Sequence, residues 1–266
     1  MTSAEIVQRA LEEDIGPGDI TTNLCVPADR QAKGRFLVRE PIIVAGVELL
    51  PLIYDSIDVK TPSGTALAPG QEIAAVQGSA RTLLSRERVA LNFLQRLSGI
   101  ATLARKYVDA VAGTNCRILD TRKTTPGLRQ LEKMAVRAGG ATNHRIGLFD
   151  AVLIKNNHIT AAGGVRSALA ATRNANMPVR IEVRTRAELN EALDCAATSL
   201  LLDNLSPADA KEWIRIINGR ATVELSGGIT LETVRAYAET GADFISAGAL
   251  THSAPAVDIR FQLELV

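Results

Sequence analysis

Six strand-length apolar runs, each stopping at a polar residue or a glycine, organise the second half of this chain. They are RILD ending at Asp120, AVLIK at Lys155, VRIE at Glu182, SLLLD at Asp203, TVELS at Ser226 and DFISAG at Gly248. Their ends fall 21 to 35 residues apart, and helix-patterned segments fill the gaps, among them GVRSALAATRNA, TRAELNEALDCA, SPADAKEWIRIING and TLETVRAYAETG. Strand–helix alternation at this spacing calls for parallel strands joined by crossover helices. The runs read as continuously aliphatic, as strands do when both faces are covered. A six- to eight-stranded α/β barrel is the expected architecture, with an open doubly wound sheet as the competitor. No GxGxxG follows any strand, which counts against a dinucleotide-binding sheet.

The first hundred residues have a different texture. A short helix is expected over 3–13, capped by Ser3, and GPGDITTN (16–23) breaks it. From Lys33 to Gln77, short β-like runs separated by Pro and Gly form a small β-rich unit. Ser85 reads as the N-cap of a helix, SRERVALNFLQRL, whose Val89, Leu91, Phe93, Leu94 and Leu97 leave little polar face. Such a helix is buried in the fold or between subunits. Ser98-Gly99 is expected to interrupt it, with a second helix ending at Gly113.

Composition excludes several classes of function. With 46% hydrophobic but only 3% aromatic residues, the core must be aliphatic, and stacking platforms for single-stranded nucleic acid are absent. A formal net charge of +1 gives no extended basic surface, so no nucleic-acid partner is expected. No apolar run approaches the ~20 residues of a membrane span, and the acidic N-terminus lacks an apolar signal core. No membrane partner and a cytoplasmic location are expected. Cys25, Cys116 and Cys195 are far apart without CxxC spacing, which predicts buried thiols in a reducing compartment rather than disulfides or zinc.

Against that near-neutral whole, residues 117–155 hold eight Lys/Arg and only three Asp/Glu. In a barrel, the residues at strand carboxyl ends share one mouth. That mouth would gather Thr121, Arg122, Lys123, Lys155, Glu182, Asp203, Ser226, Gly227, Gly228, Ala247, Gly248 and Ala249, beside Asp120. Clustered cations suit a small, highly anionic ligand. Arg122 forks onto carboxylate or phosphate, while Lys123 acts as a point charge. Lys155, closing an apolar run, should meet an anion or serve as a nucleophilic amine. The glycine turns at 226–228, ahead of a helix expected near Thr230, and at 247–249 suit phosphate. Glu182 and Asp203 could hold Mg²⁺, accept from ribose hydroxyls, or simply pair with Arg122 or Lys155. His144 and Arg145 are candidate ligand contacts; His158 and His252 read as loop or cap residues.

ERVALNFLQRLSGIAT (87–102), DTRKTTPGLRQLEKMAVRAGG (120–140), NHRIGLFD (143–150), LIKNNH (153–158), LLDN (201–204), ELSGGI (224–229) and AGALTHS (247–253), with GDITT (18–22), closely resemble the quinolinate phosphoribosyltransferases. The resemblance runs in order across nearly the whole chain. It implies an α/β protein of type II phosphoribosyltransferase-like fold. An N-terminal α/β sandwich (1–100, with tail 254–266 returning to it) would join an incomplete, about seven-stranded α/β barrel (101–253). It implies a pentosyltransferase of de novo NAD biosynthesis that converts quinolinate and phosphoribosyl pyrophosphate to nicotinate mononucleotide, pyrophosphate and CO₂. It implies Mg²⁺ as cofactor, held by Glu182 and Asp203 indirectly, through substrate and water. Lys123, Lys155, Glu182 and Asp203 match the catalytic positions. Thr121, Arg122, His144 and Arg145 join them in substrate binding, with the loops Ser226–Gly228 and Ala247–Ala249 for phosphate. Arg88 matches an arginine donated from a neighbouring subunit, which implies a homodimer or a higher homo-oligomer. The chain departs from the family pattern at Gly139-Gly140-Ala141, commonly three glycines, and at Arg180 and Arg184, where acids usually flank the central Glu. Two other readings of the residues stand beside this one: a Schiff-base aldolase or lyase using Lys155, and a non-catalytic phosphate-ligand binding protein.

Overall fold

A computed structural model describes residues 1–266 of the chain. They divide into two units: residues 1–105, 124–140 and 250–266 in one, and 106–123 and 141–249 in the other. The expected bounds are 1–100 with the tail 254–266, and 101–253; here too the C-terminal segment groups with the N-terminal residues. Segment 124–140, expected with the barrel, groups with the N-terminal unit.

In the first unit, helix α1 (Ser3–Ile15) is capped by Thr2 rather than Ser3. The Thr2 hydroxyl accepts from Glu5 N while the Glu5 carboxylate accepts from Thr2 N, so two otherwise orphaned donors are satisfied reciprocally. Helix α2 (Ile20–Cys25) follows the glycine break, its Asp19 cap accepting from both the backbone N and the hydroxyl of Thr22. Strands β1 (Gln31–Val38), β2 (Ile42–Ile43), β3 (Ile57–Val59), β4 (Ala66–Leu67) and β5 (Glu72–Ser79), with helix α3 (Leu50–Ile53), make up the β-rich stretch. The chain's last strand, β12 (Ile259–Leu265), pairs antiparallel with β1, giving the sheet order β12-β1-β5-β3. Gly34 makes this docking possible. A side chain there would stand 2.0 Å from the Phe261 ring, which instead packs against Phe36 at 4.9 Å.

Helix α4 (Ala80–Ala110) runs unbroken for 31 residues, where the sequence suggests two helices divided at Ser98-Gly99 and a start at Ser85. The small polar residues serve close packing rather than termination. The Ser85 hydroxyl donates to Asp19 Oδ2. The Ser98 hydroxyl accepts from Ala45 N and donates to Ala45 O. A Cβ on Gly99 would lie 2.0 Å from the Pro255 carbonyl oxygen. Val89, Leu91, Leu94 and Leu97 are buried and Arg88 is exposed, so the helix does show a polar edge. Helix α5 (Arg129–Ala138) completes the unit.

The second unit is a six-stranded parallel sheet of β6 (Arg117–Leu119), β7 (Val152–Ile154), β8 (Val179–Val183), β9 (Ser199–Asp203), β10 (Thr222–Ser226) and β11 (Phe244–Ser246). Its order is β6-β11-β10-β9-β8-β7. All six strands lie where the apolar runs place them. A single parallel bridge from Thr142 to Leu119 stands at the free edge of β6, in place of a full seventh strand. The result is an incomplete barrel. Crossover helices α6 (Asn156–Ala162), α7 (Val165–Ala171), α8 (Arg186–Asp194), α9 (Pro207–Ile217) and α10 (Val234–Ala238) separate the strands, and α11 (Ala249–His252) follows β11.

The strands are not aliphatic on both faces. Ile181, Val183, Leu200, Leu202, Val223, Leu225 and Ile245 form one buried apolar face. The alternate positions are largely polar: Arg180 and Glu182, Ser199 and Asp203, Thr222, Glu224 and Ser226. Period-two alternation thus puts the aliphatic set against the helices and a charged set on the inner face. This inner face carries the candidate chemistry.

Of the three cysteines, only Cys116 is buried, and burial pushes its thiol up to about 12; Cys25 is exposed, against expectation, and none is paired.

Candidate active site

Two clusters form where strands of the second unit end. The first surrounds the loop after Thr142. Asp120, fully buried just beyond β6, accepts from Asn143 Nδ2 at 2.6 Å and from His144 N at 2.7 Å. This clamp fixes the Asn-His-Arg segment. His144 Nδ1 accepts from Arg145 N at 2.7 Å, and Arg145 donates to Ala151 O. The Arg145 guanidinium is held below its ordinary value by burial and then by the like charge of Arg122, with Asp150 opposing. Two guanidiniums close enough to repel form a ready receptor for an anion. Thr121 ties the same turn, its hydroxyl accepting from Lys123 N at 3.0 Å; the Lys123 side chain is exposed.

The second cluster spans β7, β8 and β9. Lys155 Nζ lies 2.8 Å from Glu182 Oε2, and Asn156 N donates to Glu182 Oε1 at 3.4 Å. The lysine side chain is 50% exposed while that of Glu182 is 8% exposed. Lys155 therefore meets an anion rather than standing as a desolvated free amine, which leaves a Schiff-base role without a structural basis. Asp203 ends the next strand. Burial first, then the Glu182 charge, raise its carboxyl above the ordinary range, while Asn204, Lys155 and Arg184 pull it down.

The sign of the Asp203 shift gives a stability prediction. A carboxyl raised on folding contributes stability below its unfolded pKa and loses it as pH rises through the folded value. At pH 7 this carboxylate therefore works against the fold, with solvent screening limiting the effect. Asp203→Asn is expected to raise the thermal midpoint at pH 7 by about 1–2 °C and to remove the part of the stability that is lost as pH rises through the acid range. A lower midpoint in a thermal scan would refute this.

The glycine turns divide in role. Gly227, at φ +100°, could not carry a Cβ, which would fall 2.2 Å from Asn204 Oδ1 and 2.8 Å from Asn204 N. Asn204 itself is left-handed at φ 58°, and its N donates to Ser226 O. Gly228, at φ +62°, faces open space. Helix α10 begins at Val234 rather than near Thr230, so a turn stands between the loop and the helix dipole. Gly227→Ala is expected to cost about 2–4 kcal/mol in urea unfolding. Gly228→Ala should cost only about 1–2 kcal/mol, with its larger effect on phosphate-ligand affinity. Equal stability losses in the two variants would dissolve the distinction. In the other loop, Ala247 N donates to Leu119 O, and Ala249 opens the short α11.

His158 Nδ1 accepts from Lys155 N and caps α6, while His252 contacts Ser253 at the surface, so both are local. Arg88 lies exposed on α4 of the first unit. Two inner-face participants escape a reading by strand ends, Arg180 and Glu224, which sit in mid-strand; Asp120 is found by that reading, but its role as a clamp is not. Arg180 shows in the sequence as a departure from the family pattern, while the only signal for Glu224 was charge inside an apolar run.

An incomplete parallel α/β barrel with cations, a carboxylate pair and a glycine turn at its strand carboxyl ends defines a barrel-type receptor for a polyanionic small molecule. Comparison with known proteins narrows that class. Residues 19–98 match the quinolinate phosphoribosyl transferase N-terminal domain and residues 100–262 its C-terminal domain. A curated Nicotiana tabacum protein described as a decarboxylating quinolinate phosphoribosyltransferase is 42% identical over 97% of this chain and 81% of its own length. A carboxylating nicotinate-nucleotide pyrophosphorylase of Mycobacterium leprae is also 42% identical, over 97% of this chain and 96% of its own. The crystal structure of a nicotinate-nucleotide pyrophosphorylase from Ehrlichia chaffeensis superposes with a TM-score of 0.95 at 36% identity, covering 99% of both chains. The chain belongs to the quinolinate phosphoribosyl transferase family.

Proposed function

We propose that this chain transfers the phosphoribosyl group of phosphoribosyl pyrophosphate to the ring nitrogen of quinolinate, with loss of CO₂, giving nicotinate mononucleotide and pyrophosphate. The observation that carries the reading is the match of residues 19–98 and 100–262 to both domains of the family, in a chain whose Asp120 clamps the Asn143–His144–Arg145 segment at a strand end. One reactant carries two carboxylates; the other carries a phosphate and a pyrophosphate. Bringing both together demands converging cations. Arg122, Lys123 and Arg145 would take the carboxylates of quinolinate. The backbone at Gly228 and at Ala249 would take phosphate oxygens, Ala247 N being held by Leu119 O.

Pyrophosphate departure develops positive charge at the anomeric carbon. Glu182 and Asp203 are the anions available to face that charge and the ribose hydroxyls. Lys155, already held by Glu182, keeps a cation beside the departing oxygens. Once ribosylated, the ring nitrogen is cationic and stabilises the carbanion left by CO₂, so the substrate serves as its own electron sink.

The residues fit Mg²⁺. No group of three His, Cys, Asp or Glu forms a protein-only cage, yet Asp203, raised first by burial, also meets the like charge of Glu182. Two such carboxylates suit an ion that keeps water and substrate phosphates in its shell. When bound, Mg²⁺ supplies charge neutralisation for the leaving pyrophosphate. A homodimer in which Arg88 reaches the neighbouring site is part of the proposal. So is a cytoplasmic location, which the three unpaired thiols suit; no helix is long and apolar enough to cross a membrane.

The test is direct. Protein, Mg²⁺, quinolinate and phosphoribosyl pyrophosphate should release CO₂ and the mononucleotide in equal amounts, and omission of either substrate should abolish both. Release of neither product would overturn the reading.

A further inference from the structure

Beneath the site, the inner face of the second unit holds a charged network that substrate binding does not account for. Arg180, on β8, donates from Nε to Ser199 Oγ at 2.8 Å, and Ser199 Oγ accepts from Thr222 Oγ1 at 3.0 Å. Arg180 also pairs with Glu224 Oε2 on β10 and lies over the Phe244 ring, 5.4 Å from its centroid. Asp243 adds a favourable charge to the same guanidinium. Glu224 is 1% exposed. His144 Nε2 approaches the same Glu224 Oε2 at 3.3 Å, an ion-pair distance, while both Glu224 carboxylate oxygens are buried without a hydrogen-bond partner. A buried carboxylate held by charge but incompletely hydrogen-bonded is costly, and its retention calls for an explanation.

The hydrogen bonds decide the histidine's tautomer. Nδ1 accepts from Arg145 N, so it carries no proton. The ring's proton must then sit on Nε2. Nε2 is thereby a donor, so it cannot accept from Arg180 Nη1, 3.5 Å away. The Glu224 carboxylate, 3.3 Å from that nitrogen, favours the protonated Nε2 by its charge and not by a formed hydrogen bond. Both ring nitrogens are thus turned toward the protein.

We infer that Arg180 and Glu224 are positioning residues. They fix His144 as the neutral Nε2–H tautomer, and His144 in turn holds the Arg145 backbone so that its guanidinium stands beside Arg122. His144 acts through Arg145 rather than by grasping substrate with its ring. The functional part of this inference rests on the reading proposed above; the tautomer does not.

Nitrogen-15 NMR of histidine-labelled protein, with His144 assigned by comparison with His144→Gln, tests the network without turnover. The expected pattern is a neutral ring protonated at Nε2, which in Glu224→Gln shifts toward a mixture of tautomers. An imidazolium at neutral pH, or a proton on Nδ1, would overturn the network even if the enzyme is fully active. Steady-state kinetics test its purpose. Glu224→Gln should raise KM for quinolinate about tenfold with kcat changed less than threefold. His144→Ala should do the same, and His144→Asn, whose Oδ1 can accept the Arg145 N–H, should recover at least half of that loss on a logarithmic scale. Equal losses in His144→Ala and His144→Asn would mark the ring as a direct ligand and refute positioning. A Glu224→Gln protein with lowered thermal midpoint but unchanged KM would reduce the network to a stability element. Failure of the wild-type protein to turn over would count against the proposed function alone, since the tautomer would still be read by NMR.

Discussion

Lys123→Ala is expected to lower kcat/KM by about 100-fold or more while leaving the thermal midpoint nearly unchanged. The side chain is exposed, and the loop that carries it is shaped by its neighbours: the Thr121 hydroxyl accepts from Lys123 N, and the backbone of that contact survives the substitution. Exposed substitutions away from caps and cores usually fall within about 0.5 kcal/mol of wild type. In the proposed reaction the ammonium meets a substrate anion, so the expected loss falls on catalysis. Steady-state kinetics at saturating Mg²⁺, paired with a thermal scan, checks both halves. Near-normal kinetics would remove Lys123 from the site, and unfolding would show it to be structural.

Glu132→Ala should have the opposite character. Glu132 is 0% exposed on α5. Its carboxylate accepts from Arg96 Nη2 at 2.9 Å and Nε at 3.3 Å, and from the hydroxyl and backbone N of Thr125 at 2.8 and 3.1 Å. Arg96 continues to the carbonyls of Ala254 and Thr251, so one ion pair ties α4, α5 and the C-terminal segment within the first unit. Removing the acid strands a partly buried guanidinium and an amide, at a cost of about 3–5 kcal/mol. Urea unfolding measures it. A loss under about 1 kcal/mol would mean that water replaces the carboxylate easily. The Arg96→Met, Glu132→Leu double variant should recover part of the loss, because removing both charges leaves neither stranded.

These two residues mark what can be seen in a string of letters. Lys123 stands in a Thr-Arg-Lys turn at the end of an apolar run, and a strand end in a barrel has a known direction. Glu132 sits in a helical stretch dense in Lys and Arg, where it reads as one more surface acid. Nothing local says that Arg96, 36 residues earlier, will meet it. Arg180 and Glu224 escaped for a related reason. Each lies between aliphatic residues, so the strands pass as apolar throughout, and only pairing across β8 and β10 reveals an inner charged layer.

The helix boundaries follow the same logic. Ser85 and Ser98-Gly99 carry the local chemistry of caps and breaks. Asp19, Ala45 and Pro255 instead recruit them as hydrogen-bond partners and as space for a carbonyl. Propensity amounts to a few tenths of a kcal/mol to about 1 kcal/mol per residue, and packing along a 31-residue helix outweighs it.

By itself, the order of residues determined the six parallel strands, their crossover helices, the end of the sheet where cations gather, and membership of the family, because hydrophobic period and motif order are local, one-dimensional properties. Tertiary structure alone decided which charges meet. It gave Lys155 to Glu182, turned His144 toward Glu224 and Arg145, and placed segment 124–140 with the N-terminal unit. Coulomb and hydrogen-bond energies depend on distances of a few ångströms between residues tens of positions apart, and those distances exist only once the chain has folded.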